Sequence, residues 1–154
     1  MKKLLILLLI IPLVSFGQNN DKLNTTVMNK KLNINSNHVT VLVEVSYTTD
    51  SDIIKKFIVD EHSPLFYNLN DDGIIRFEWF LDEEKKTGTL IEKFENSNVW
   101  EELGNKILGS TINLKFRELF KVEKLTVLGD INETFKTKIQ AMNPVIKKYI
   151  GGIN

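Results

Sequence analysis

Charged side chains inside apolar, strand-like stretches are where this sequence could do chemistry. Arg76, Glu78 and Glu92 sit in two such stretches and Glu44 in a third, while His62 lies on a helical stretch between Glu61 and Ser63. A carboxylate walled in by apolar neighbours has its pKa raised and becomes a base usable near neutral pH. Histidine titrates close to pH 6.5 and can shuttle a proton. Glu78 and His62 are therefore the candidates for catalytic proton transfer. Trp79, Phe94 and Trp100, with Arg76 and Glu92, are the candidates to line an apolar pocket and grip the polar end of a ligand. Each has a plainer reading. His62, flanked by polar residues, reads as a surface side chain at a helix junction. Aromatics at these spacings fill cores, and charges in strands form ion-pair ladders.

The rest of the composition narrows the chemistry. The chain has 154 residues, 20 basic and 20 acidic, with no cysteine and two histidines, His38 and His62. The missing cysteines remove disulfides, thiolate nucleophiles and Cys-bound zinc or iron–sulfur clusters. There is no histidine cluster and no glycine-rich phosphate loop, so no metal, flavin or haem cofactor is expected. Lys85-Lys86 and Lys147-Lys148 are isolated pairs rather than a basic stripe, which argues against a nucleic-acid partner.

The elements that must position these residues come after two other segments. Lys2 and Lys3 precede an apolar run from Leu4 to Val14, followed by Ser15-Phe16-Gly17. That is the pattern of a signal peptide over residues 1–17, with a run too short for the roughly 20 residues a membrane span needs. The expectation is an exported chain, periplasmic or secreted, with no membrane anchor after cleavage. Residues 18–37 are rich in asparagine and lack aromatics, and read as a disordered linker.

The folded domain is expected over 38–154. Val39, Val41, Val43, Val45 and Tyr47 alternate with His38, Thr40, Leu42, Glu44 and Ser46 as in a strand. Ile53, Ile54, Phe57 and Ile58 follow at helical spacing, and Ser63-Pro64 reads as the cap of a second short helix through Tyr67. The segment 74–81 predicts a strand with Ile75, Phe77, Trp79 and Leu81 on one face and Ile74, Arg76, Glu78 and Phe80 on the other. Residues 89–94 return as its hairpin partner. Asn96-Ser97 caps a helix with Val99, Trp100 and Leu103. Another helix spans 111–120, and 122–128 reads as the last strand. Asp130 and Glu133 form a capping-box pattern for a helix bearing Ile131, Phe135, Ile139 and Met142.

This order predicts an α+β, ferredoxin-like βαββαβ domain with a four-stranded antiparallel sheet and helices on one face. The other face, with Leu42, Ile74 or Ile75, Phe80, and Leu125 or Val127, is too apolar to leave in water. A second copy of the chain is its expected cover. In that arrangement Trp79 faces the helices, and Glu78 with Arg76 faces the partner.

Several segments resemble one family. The run Gly73-Ile74-Ile75-Arg76-Phe77-Glu78-Trp79-Phe80-Leu81-Asp82-Glu83 is similar to the second strand of antibiotic-biosynthesis-monooxygenase-like (ABM-like) domains. Ile91-Glu92-Lys93-Phe94-Glu95-Asn96-Ser97 resembles their third strand, and Leu125-Thr126-Val127-Leu128-Gly129-Asp130 their last, with Gly151-Gly152 at the end. The resemblance implies a homodimeric α/β barrel. It also implies cofactor-independent monooxygenation of a small phenolic or quinol-type aromatic in a dry pocket. One departure counts against catalysis: the helix position where related enzymes carry a histidine is Leu103. The alternative is a non-catalytic dimeric barrel that binds a small apolar ligand or acts as an accessory domain.

Overall fold

In the computed structural model, residues 31–69 and 72–153 are described. The signal peptide expected over 1–17 and the linker through residue 30 lie outside them. In the remainder of that stretch two residues are paired. Strand β1 (Leu32–Asn33) pairs antiparallel with β7 (Gly152–Ile153), and the Tyr149 hydroxyl donates to the Asn33 carbonyl at 2.9 Å.

The main sheet comprises β2 (Val39–Ser46), β3 (Ile74–Asp82), β4 (Thr87–Phe94), β5 (Lys121–Leu128) and β6 (Val145–Lys147). Its order is β3-β4-β2-β5-β6, antiparallel except for the β5-β6 pair. The sheet is thus five-stranded rather than four-stranded, and 121–128 is not its last strand. The extra strand is three residues long and follows Pro144, too short to show a period of two in sequence. Gly129 makes the exit from β5 possible. Its φ is +123°, and an added Cβ would collide with the His38 carbonyl oxygen.

Between β2 and β3 the chain stays helical without a break: α1 (Ser51–Lys56), a π-helical turn (Phe57–His62), then α2 (Ser63–Asn68). Ser63 does not cap a new helix. Its N–H donates to the Ile58 carbonyl five residues back. Pro64 has no N–H to offer the previous turn, and its ring crowds a normal α-turn; the wider π-turn accommodates both defects. Helices α3 (Ser97–Ile107) and α4 (Thr111–Leu119) start at Asn96 and Ser110, whose side chains accept from the first turn. Helix α5 (Glu133–Ile139) is capped by Asn132, which accepts from Phe135 N–H at 2.7 Å, instead of by an Asp130–Glu133 box.

Strand register sorts the side chains. The covered face takes Val39, Val41, Val43 and Val45 from β2, and Gly88, Leu90, Glu92 and Phe94 from β4. Phe77, Trp79 and Leu81 from β3, with Leu125 and Val127 from β5, complete it. A register shift between Ile74 and Arg76 turns Ile74 inward and leaves Ile75 47% exposed, reversing the expected assignment of that pair. Leu125 and Val127 are buried inside, so the open face instead carries Thr126 and Leu128 beside Leu42, Ile91 and Phe80. Two clusters fill the core. One joins Val39, Val41, Phe94 and Val127 to Trp100, Leu103 and Phe135 of the helices; the other joins Val45 and Tyr47 to Ile54, Phe57 and Phe120.

Candidate functional site

The helix that begins at Ser51 brings His62 over the sheet at the end of its π-turn. The side chain is 5% exposed, against the surface position its sequence neighbours suggested. The extra residue of a π-turn rotates everything after it around the helix, which a 3.6-residue period does not anticipate. Aromatic rings enclose the imidazole: Phe66 at 5.1 Å between centroids, Phe57 and Phe77 at 5.2 Å, Trp79 and Phe116 at 5.7 Å. The Trp79 indole N–H donates to Nδ1 of His62 at 3.2 Å. Removal from water disfavours the imidazolium and lowers the pKa to about 4.

Glu92 reaches the same space from β4, directly opposite Val41 on one side and Phe77 on the other. Among the described residues it is the one acidic or basic side chain on the covered face of the sheet, and none of them forms a hydrogen bond or ion pair with its carboxyl. Burial pushes that carboxyl up to about 7.

A cavity of about 240 Å³ lies at the seam between the two core clusters, with His62 and Glu92 in its lining. Val41, Leu90, Trp100 and Phe116 supply apolar wall, and Leu108 and Met142, 75% and 54% exposed, stand at the mouth. A wider trough of about 530 Å³ runs along α2 and β3 past Tyr67, Asp72 and Arg76. Its charged lining residues are exposed, Arg76 being paired with Glu78, whereas the smaller space holds the unpaired Glu92.

The candidates named from sequence therefore separate. His62, Glu92 and Trp100 line one cavity, with Trp79 behind His62. Phe94 is fully buried and stacks on Trp100 with centroids 6.2 Å apart, as part of the core. Arg76 and Glu78 lie on the open face, paired with each other and each about half exposed. Glu44 is on that face too, bonded to Lys124 at 3.2 Å. The ion pairs of Arg76, Glu78 and Glu44 thus belong to the open face, and Glu92 does not join them. Sequence reasoning missed Leu108, Asn113, Phe116 and Met142 as lining residues. Phe116 and Met142 carried a signal, their helical spacing, and that does not distinguish wall from core.

With His62 neutral and Glu92 half ionised near pH 7, the cavity can donate a hydrogen bond from His62 and accept one proton at Glu92, with the Asn113 side chain the other polar group in an otherwise apolar wall. Among the described residues no group of histidine and acidic side chains could hold a metal ion, and no helix is long and apolar enough to cross a membrane.

No family model matches the chain, and no curated protein does. Among solved structures, the chain is similar to MupZ from Pseudomonas fluorescens, with a TM-score of 0.60 at 12% identity over 74% of this chain and 90% of that one. A conserved protein from Methanosarcina mazei Go1 has a TM-score of 0.47 at 13% identity, over 58% of this chain and 89% of its own. Rv0793 from Mycobacterium tuberculosis has 0.44 at 18%, over 62% and 97%. At such identities the likeness is one of fold alone: this chain has an α+β fold shared with MupZ.

Proposed function

We propose that this is an exported, ABM-like protein whose cavity takes a small, largely apolar molecule bearing a hydroxyl group, with Glu92 as the base. The observation that carries the reading is the unpaired Glu92 carboxyl, raised to about 7, opening into the same apolar cavity as the neutral His62. The base role passes from Glu78 to Glu92, because Glu78 is exposed and paired with Arg76 on the opposite face.

On the catalytic reading, Glu92 removes the proton of a phenolic or quinol-type aromatic and His62 donates a hydrogen bond to the resulting oxyanion. The electron-rich anion then reacts with molecular oxygen without a cofactor. One oxygen atom enters the product and the other leaves as water, with the electrons supplied by the substrate. The order of the four long strands, β3-β4-β2-β5, supports a ferredoxin-like core. Exposed Phe80 and Ile75 on the open face support a homodimer through that face.

Oxygen uptake by the purified protein with a panel of phenols and hydroquinones tests catalysis. Turnover is expected to rise with pH to a plateau above about 7, and Glu92→Gln to lower it about 10²- to 10⁴-fold. One observation favours the second reading, a binding protein without turnover. Leu103, at the position where resembling enzymes carry a histidine, is 4% exposed and packed in the core. Saturable binding of the panel without oxygen uptake selects it.

A further inference from the structure

We infer that Trp79 is a positioning residue that fixes His62 as a hydrogen-bond donor, so that the cavity selects ligands presenting an acceptor to His62 and an O–H or N–H to Glu92. The ligand half of this inference rests on the cavity reading above; the state of His62 does not.

An indole N–H can only donate, so Nδ1 of His62, 3.2 Å away, must hold a lone pair. A neutral imidazole whose Nδ1 accepts carries its proton on Nε2. The surroundings keep it neutral. The rings around it offer no counter-charge, and the adjacent Glu61 carboxylate is engaged by Lys115 at 2.5 Å and 2.7 Å. Glu92, facing the cavity from β4, is mostly protonated below about pH 7.

Nε2–H has no partner among the described residues. No side-chain nitrogen or oxygen among the described residues is both sealed from solvent and unpartnered, so Nε2 must open onto the cavity that His62 lines. The same holds for the carboxyl of Glu92. A donor and a carboxyl left open in a wall otherwise apolar but for Asn113, whose amide oxygen is taken by Gly109 N–H, set the ligand's polarity. A pure hydrocarbon leaves both unsatisfied, an ether satisfies His62 but has no proton to offer an ionised Glu92, and a hydroxyl compound can serve both. The volume is about eight water molecules' worth at ~30 Å³ each, which suits a single-ring body.

The test has two arms. In the first, two-bond proton–nitrogen correlation spectra of the ¹⁵N-histidine-labelled protein report the tautomer, with His62 distinguished from His38 by the His62→Gln variant. The expected result is a neutral Nε2–H ring from about pH 5.5 to 7.5, with the Nδ1–H form becoming detectable in Trp79→Phe. An Nδ1–H or protonated ring in the wild-type protein overturns the inference, as does an unchanged tautomer in a folded Trp79→Phe. Should that variant not fold, the wild-type spectrum decides.

In the second arm, calorimetric titrations compare toluene, anisole and phenol. Anisole is expected to bind about three- to tenfold tighter than toluene, as one hydrogen bond would give, and phenol tighter still. Equal affinities for toluene and anisole overturn the ligand half while leaving the cavity reading intact. Failure of all three probes to bind overturns the ligand half and the cavity reading together, whatever the tautomer.

Discussion

Glu78 and Glu92 lie on neighbouring strands of one sheet and share a side-chain type, yet the two faces they occupy make them different groups. On the open face Glu78 has Arg76 beside it and water around it. On the covered face Glu92 has Val41 and Phe77 as cross-strand neighbours and no partner for its charge. Exposed ion pairs contribute little to stability and hold charge where water would have held it anyway. A lone carboxyl in an apolar wall costs stability whenever it ionises, and is tolerated where a ligand or a proton uses it. Alternation along a strand thus divides paired, solvated carboxylates from unpaired ones in apolar surroundings across one sheet.

The largest expected break in that contrast is at Trp79 and its neighbour Phe80. Trp79 packs under the helices, stacked on Phe120 with centroids 5.1 Å apart and bonded to His62. Trp79→Ala should lower unfolding free energy by about 3–5 kcal/mol in denaturant titrations. Phe80→Ala, on the open face, should change it by about 0.5 kcal/mol or less at concentrations where the chain is monomeric.

Next in size is the dependence of stability on pH. Glu92 titrates near 7 in the fold against an ordinary 4.5, so its ionisation costs stability progressively as pH rises from 4.5 through 7. His62 titrates near 4 against an ordinary 6.5, so its protonation costs stability as pH falls from 6.5 through 4. Each effect is on the order of 3 kcal/mol and they oppose each other, which flattens their joint contribution between pH 4.5 and 6.5. Relative to wild type, Glu92→Gln should become more stable as pH rises from 4.5 to 7. His62→Gln should become relatively more stable as pH falls from 6.5 to 4. Chemical unfolding at a series of pH values checks both signs.

The open face gives a third contrast. Phe80→Lys should halve the sedimenting mass of a homodimer at micromolar concentration while leaving the tautomer of His62 unchanged. A wild-type protein that sediments as a monomer removes the dimer proposal. The smallest expected effect is at Arg76: Arg76→Ala should leave the melting temperature nearly unchanged, since its bond to Glu78 is solvated.

Much of this contrast is legible in the sequence, and its limits have physical causes. The alternation of Phe77, Glu78, Trp79 and Phe80 already separates Trp79 from Glu78, because the period of two survives wherever strands pair regularly. It fails at Ile74 and Ile75, where an unpaired extra residue shifts the register. In 89–94 the parity that places Glu92 inside is ambiguous, since Leu90 and Phe94 compete with Ile91 as the apolar set. His62 is misplaced by sequence for a different reason. Its burial depends on the π-turn, a response to Pro64 and to packing that no periodicity encodes. The cavity itself draws on β2, β4, β5 and four helical segments, and exists only once they are packed.

The most direct test of the central claim is a residue-resolved NMR titration of the purified protein with phenol at about pH 7.5, above the Glu92 midpoint. Saturable shifts are expected at His62, Glu92, Trp100 and Phe116, with Arg76, Glu78 and Lys124 unmoved. Shifts concentrated on the open face, or no saturable binding, would contradict it.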